Sequence, residues 1–340
     1  MRPNSCADFT VAIICALTLE AEAVEETFDE IFDRFSRLYG KHRKDKNAYI
    51  NGRIGTHNVV LAYVPDKAKR SATSVASSLP FSYPNIGLCL VVGVCGGAPR
   101  SPNNEQIFLG DVVMSNAVIE YDLGVQLPGG FQRGTDINLV PGRPNREIRS
   151  LLSGLSTIGA RRQFHDEMSQ HLHSIQQRNE KWRRPRFVDD IVFNASYHHK
   201  HHNPVSAKCL CLGGKVANGI CKAALSKNCN DLGCDDNEIS RRRHHTELDT
   251  MSIHIGAVAS ADTEMKSGEH RDTLIKSEGV IGFETIGAGV WDIFPCIIIK
   301  GVCDYADSHK NSTWQAYAAA TGSCAAKTFL EYWRPVATGG

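Results

Sequence analysis

The apolar positions of this chain gather into short unbroken runs, separated by longer segments in which charged residues recur at helical spacing. Residues 10–16, 88–94, 253–260, 280–283 and 297–302 form such runs. Bounded by Gly, Pro and polar loops, they read as buried strands of a largely parallel sheet, although periodicity alone does not separate a short apolar run from buried helix. Between them the pattern predicts a charged amphipathic helix over about 19–38 and a hairpin of strands 47–53 and 58–64, with Gly55 as its turn glycine. A small-residue helix follows over 71–79, and a strand starts at 109–113 and runs towards Tyr121 and Asp122. Further on, a helical stretch covers 161–183 and a helix 267–277 lies between Gly268 and Gly279. A last amphipathic helix is expected over 311–333, with Ser312 or Asn311 as its N-cap.

The stretch 280–310 organises the rest. It holds a strand, the carboxylate Glu284, a small-residue helix start at Gly287-Ala288-Gly289, and the apolar run that ends at Asp304. Ligand chemistry in open α/β sheets collects beyond the carboxyl ends of strands, where Asp304, Tyr305, Asp307, Ser308 and His309 stand. Glu20, at the turn after the first strand, falls on the same edge if the sheet is parallel. Cys95-Gly96-Gly97 ends another strand; glycines there admit backbone N–H groups to an anion or a sugar, or simply make a tight turn.

Composition changes this picture in three places. At 340 residues, 42% hydrophobic and 22% charged, the chain is globular, and we expect a single domain over 8–335 with an insertion at 146–250, helical at first and then Cys/His-rich. A net charge of +1, with its basic pieces confined to 181–186 and 241–245, offers no stripe for nucleic acid. No run of eighteen apolar residues exists to span a membrane. The start (Arg2, the apolar 9–19, then Ala21-Glu22-Ala23) imitates a secretory signal. Residues 11–16 read equally as a strand and 20–28 as a helix, so the expected setting is reducing and cytoplasmic. Among twelve cysteines, Cys15, Cys89, Cys95, Cys296 and Cys303 lie in apolar runs as small core residues. Cys209, Cys211, Cys221, Cys229 and Cys234 instead crowd behind the tract Tyr197-His198-His199-Lys200-His201-His202. Such enrichment signals a structural zinc, with free thiols or a covalently linked pair as the alternatives.

In order and spacing, VAIICALTLEAEAV, VVGVCGGAP, LGDVVMS, VASADTEMKSG, VIGFETIGAGVWD and IIIKGVCDYADSHKN together resemble the nucleoside phosphorylase and methylthioadenosine nucleosidase superfamily. The nearer likeness is to its fungal branch, often fused to NACHT, ankyrin or tetratricopeptide modules, and covers roughly 10–122 and 253–333. The resemblance implies a three-layer α/β/α sandwich around a mixed central sheet, nucleoside phosphorylase-like, and cleavage of a purine N-glycosidic bond in an oligomer whose neighbours complete the site. It implies that Asp304 is the acid to the departing base and that Glu20 orients the attacking water. Cys95, Gly96, Gly97, Ser260, Asp262, Met265, Phe283, Glu284, Thr285 and Ile286 fall in its substrate-binding segments, with Asp262 similar to the residue that orients the catalytic loop. Leaving bases carry developing negative charge, so the acid must hold a proton, which burial behind Val302 and Cys303 would favour. Taken without the resemblance, Asp304 could equally cap a loop and Glu20 could serve the helix dipole.

One departure bears on activity. The family's FEMEG or FEMEA is Phe283-Glu284-Thr285-Ile286-Gly287, so an isoleucine replaces the glutamate that grips the ribose hydroxyls. Each unmade bond to a sugar hydroxyl in a dry pocket costs about 1 to 3 kcal/mol. Glu284, two residues earlier, could substitute only in part. Ala261 replaces a usual glycine, Glu264 a usual apolar residue, and Asp66-Lys67-Ala68-Lys69-Arg70 a glycine-containing segment near the sugar or phosphate. Two classes of function follow: an N-glycosidase, hydrolytic rather than phosphorolytic, needing no catalytic cofactor (phosphate being the co-substrate of the phosphorolytic form), or a degraded module that binds a nucleoside or a protein partner without efficient catalysis.

Overall fold

The computed structural model describes residues 2–134, 143–186, 189–202, 209, 223–243 and 251–334. β1 (Val11–Cys15) leads into α1 (Thr18–Glu25), followed by β2 (Glu30–Arg34), β3 (Tyr49–Ile54), β4 (His57–Tyr63), α2 (Lys69–Ser82), β5 (Leu88–Gly97) and β6 (Val112–Glu120). A small hairpin, β7 (Gly124–Leu127) and β8 (Gly130–Arg133), precedes α3 (Arg146–Leu155), α4 (Ile158–Arg178), β9 (Ile191–Phe193), α5 (Cys229–Leu232) and β10 (Ile239–Arg242). Then come β11 (Ile253–Ser260), α6 (Gly268–Glu278), β12 (Val280–Glu284), α7 (Ala288–Trp291), β13 (Cys296–Asp304) and α8 (Gln315–Tyr332).

The central sheet has the order β12-β11-β6-β13-β5-β1-β4-β3-β2. It is mixed: β1 runs parallel to β4 and β5, and β13 parallel to β5 but antiparallel to β6. At one end β12 folds back to pair with β5 through Gly282–Gly97 and Phe283–Gly96. Gly301 backs so closely onto α8 that a Cβ would overlap the Ala318 carbonyl, whereas Ile298 meets the Gly287 turn that begins α7. Residues three apart on a strand point to opposite faces, so helices cover β13 on both sides and the expected layered α/β architecture holds.

Several elements differ from the sequence expectation. The helix expected to reach Leu38 ends at Glu25, and residues 30–34 become an edge strand against β3. Phe28 and Phe32 are buried there, against β3 rather than on a helical stripe, and a Cβ on Gly52 would crowd the Phe28 ring. α8 starts at Gln315, not at Asn311, and neither Ser312 nor Asn311 caps it. It is not amphipathic: α4 packs over its outer side, and thirteen of its residues are buried. That cover comes from the segment read as an insertion. Ile148, Leu152 and Leu155 of α3 and Phe164, Met168, Leu172 and Ile175 of α4, spaced by three and four, join the main core.

Candidate active site

Strand β1 delivers the chain to the carboxyl edge of the sheet and α1 begins there, with Glu20 in its first turn. Glu20 is 2% exposed. Its Oε2 accepts from the Ala16 and Leu17 amides at 2.9 and 2.8 Å, and its Oε1 accepts from the Val94 amide at 2.7 Å. Part of its work is therefore the ordinary task of a helix-start carboxylate, reaching back to the N-cap backbone. The rest of its surroundings are not ordinary. The Lys300 ammonium lies 3.5 Å from Oε1, itself only 2% exposed, and also donates to the Val92 carbonyl. Burial pulls the Lys300 pKa down, but the carboxylates of Glu20 and Glu284, with Cys15 and Cys95, outweigh it and hold the amine above its usual range. Sequence reading passed over Lys300. Its signal was available, as a charge standing inside the apolar run Ile297-Ile298-Ile299-Lys300-Gly301-Val302.

Asp304 ends β13, the neighbour of β5 on the side away from β1. Its Oδ1 accepts from the Ala306 amide at 2.9 Å, where the chain takes a left-handed turn (Ala306 φ 53°), and its Oδ2 accepts from the Cys303 thiol at 3.1 Å. The Lys310 ammonium approaches Oδ2 to 3.0 Å and Glu264 Oε1 to 2.9 Å. Burial opposes the charge on Lys310, but Asp304, Cys303 and Glu264 overcome it and raise its pKa. Where the sequence pointed to burial alone as the influence on Asp304, the fold also supplies a countercharge.

Glu20, Lys300, Asp304 and Lys310 line one cavity of about 280 Å3, close to the roughly 300 Å3 at which small-molecule sites begin. Cys95, Gly96, Asp262, Met265, Phe283, Glu284, Thr285 and Ile286 share its wall. Gly97 and Ser260 do not. Gly97 packs on Val302, and the Ser260 hydroxyl accepts from the Ala288 amide at 3.1 Å inside the core. The two glycines answer to crowding rather than to a turn, since β5 continues through both, and a Cβ on Gly96 would lie 2.9 Å from Asp304 Oδ1. Asp262 accepts from the Lys69 amide at 2.6 Å, docking the loop that precedes α2, while Lys69 itself pairs with Glu120 and Asp122. Glu284 is turned into the backbone, accepting from the Ile286 and Gly287 amides at 2.9 to 3.0 Å.

The remaining residues after β13 point elsewhere. Tyr305 donates to Asp190 at 2.5 Å, Asp307 faces Arg271 at 3.5 Å, and the His309 ring stacks on Phe193 with centroids 3.9 Å apart. Of the cysteines read as metal ligands, Cys229 and Cys234 converge on His199. Cys211 and Cys221 lie outside the described residues. Among the described residues, no helix is long and apolar enough to cross a membrane.

No family model matches the chain. The nucleotide-binding leucine-rich repeat (NLR)-like protein of Hyaloscypha variabilis is similar to it at 30% identity over 331 residues, 95% of this chain; the chain spans 29% of that protein's length. Among solved structures, the 5′-methylthioadenosine/S-adenosylhomocysteine nucleosidase of Neisseria meningitidis in complex with methylthio-immucillin-A shares its fold with a TM-score of 0.54 and 15% identity, over 95% of this chain and 99% of that one. A futalosine hydrolase mutant of Helicobacter pylori gives a TM-score of 0.55 at 12% identity, over 96% and 100%.

Proposed function

From the premise that this chain has the fold of the nucleoside phosphorylase and methylthioadenosine nucleosidase superfamily, we propose that it hydrolyses the N-glycosidic bond of a purine nucleoside in the cavity at the carboxyl edge of its sheet. The observation that carries this reading is a pair of carboxylate–lysine couples facing one cavity, Glu20 with Lys300 and Asp304 with Lys310. Glycosidic cleavage needs two such groups, one for water and one for the departing base. Glu20, fixed by three amides, orients the water. Asp304, which must enter the reaction protonated, gives its proton to the ring nitrogen of the base as the glycosidic bond breaks, and Glu20 accepts the proton of the attacking water. The Lys310 ammonium offsets the negative charge left at Asp304 and on the base. Hydrolysis fits better than phosphorolysis, because the cavity lining carries five carboxylates, Glu20, Asp262, Glu264, Glu284 and Asp304, against three lysines, Lys67, Lys300 and Lys310, and, among the described residues, no arginine. Every step draws on side chains and water; a metal in the Cys/His segment would serve structure.

The same geometry supports a choice of base. Glu264 offers an acceptor and Lys310 a donor side by side on the cavity wall, 2.9 Å apart. A 6-oxopurine answers both, with N1–H for the carboxylate and O6 for the ammonium. Adenine sets its amino group against the ammonium and a lone pair against the carboxylate.

The test is base release from inosine, guanosine, adenosine and methylthioadenosine, with and without phosphate. We expect release without phosphate, faster from the 6-oxopurines, and a loss of about a hundredfold or more in Asp304→Asn and in Glu20→Gln with folding retained. Release that survives both substitutions overturns the assignment. Nucleoside binding without release from any substrate would favour the degraded module that Ile286 raises.

A further inference from the structure

We propose that His199, Cys229 and Cys234 bind a zinc ion that clamps residues 191–202 and 229–234 onto the loop carrying Lys310. The three donor atoms all lie within 4.8 Å of one another. His199 Nδ1 is 3.7 Å from Cys229 Sγ and 3.6 Å from Cys234 Sγ. Ligands at ordinary zinc–nitrogen and zinc–sulfur distances, about 2.05 and 2.3 Å, stand about 3.6 Å apart across a tetrahedral angle. The spacing is thus that of a coordination edge.

The surroundings are built for a ligand. His199 Nε2 meets the Lys227 carbonyl at 2.9 Å, which keeps the ring proton on Nε2 and turns the Nδ1 lone pair towards the two sulfurs. Asn228 caps the single turn of α5 by accepting from the Asp231 amide, Gly233 ends it in the left-handed region at φ 70°, and the Cys234 amide donates to the Cys229 carbonyl at 3.0 Å. That turn sets both thiols on one side. Two thiolates with one imidazole are donors suited to zinc, and each cysteine gives up its proton to solvent as the ion binds. A fourth donor, such as a water molecule, would complete the tetrahedron.

The ion would also reach the cavity. The His199 amide donates to Ser308 Oγ at 2.9 Å, and the His199 ring stands edge-on to His309 at 5.1 Å. Phe193 and Tyr197 stack on the same His309 ring. The loop from Asp304 to Lys310 therefore has the cavity on one side and the histidine–cysteine cluster on the other, so ligation at His199 holds Lys310 against Asp304. The metal site is independent of the proposed reaction; its influence on turnover rests on that reading.

Elemental analysis of the purified full chain should give one zinc per chain, and cobalt substitution should produce thiolate-to-cobalt charge-transfer absorption that Cys234→Ser and His199→Ala lose. A chain that neither retains zinc nor takes it up in titration, or that holds iron or copper instead, overturns the site. For the clamp, hydrogen exchange is compared before and after chelation. Faster exchange confined to residues 305–310, 191–202 and 229–242, with the central strands unchanged, is the expected result. Unchanged exchange at 305–310, or loss of protection throughout the sheet, overturns it. Ser308→Ala should keep its zinc yet show the same local loosening, and a protected loop in that variant counts against the link.

Discussion

Ile286 places a branched hydrocarbon, 1% exposed, on the wall of a cavity otherwise rich in charge. The neighbouring Glu284 does not take over the sugar hydroxyls, because its carboxylate already binds the amides of Ile286 and Gly287. Ile286→Glu should therefore raise base release from ribonucleosides by about tenfold or more, the equivalent of about 1.4 kcal/mol, and leave 2′,3′-dideoxynucleosides unaffected. Equal gains on both substrates would mean that the new carboxylate acts on something other than the hydroxyls. Lys300 poses the converse case. Removing one partner of a buried pair strands the other, at a cost of about 3 to 5 kcal/mol. Lys300→Met should lower unfolding free energy by that order in urea titration, and adding Glu20→Gln should recover part of it. The Lys300 pKa is raised in the folded state, so the contribution of the pair is complete below the unfolded lysine value and is lost only as pH climbs through the folded one. Neutral pH lies wholly inside the stable window.

Strand β5 is the element on which both halves of the site depend. It lies between β1, which leads to Glu20, and β13, which ends in Asp304. Gly93 lies in its middle at φ 150°, and a Cβ there would overlap the Glu20 carboxylate. Gly93→Ala should thus destabilise the chain and cut base release together, by pushing Glu20 off the Val94 amide. Gly87, just before the strand, has nothing within 4 Å of a Cβ and serves as the control. Full activity in Gly93→Ala would show that the position of Glu20 does not matter to the chemistry. Helix α8 illustrates the same dependence between elements. Its small residues, from Ala318 to Ala326, let it sit close to β13 and β5, and α4 seals its outer side.

At the scale of the molecule, the main core runs without a break from β1 through α3 and α4 to α8. We propose from this that residues 8–335 fold as one cooperative unit, with 146–250 as part of it. Thermal unfolding followed by tryptophan fluorescence and by far-ultraviolet circular dichroism should give coincident transitions, and a separate early transition would divide the insertion from the rest. Trp182 and Trp314 are both buried and report on the two regions.

The strands were legible because an unbroken apolar run is a local property, and so was their common edge, since parallel neighbours bring successive carboxyl ends together. Asp304, Glu20 and most of the cavity wall could be named on that basis, with the motifs that carry the family resemblance. Residues 30–34 could not, because a charged segment with two phenylalanines suits a helix or an edge strand equally until β3 offers its unpaired edge. The charge of Lys300 inside an apolar run and the place of His199 in the Cys/His tract were visible, but not their partners, Glu20 and the pair Cys229 and Cys234; nor was it visible that the six-residue loop after Asp304 turns Lys310 back onto it. The chain by itself determined which residues would be buried and which strand ends would carry acids. Only the tertiary structure decided which charges meet, because ion pairs and ligand sets depend on distances of 3 to 4 Å between elements that periodicity does not encode.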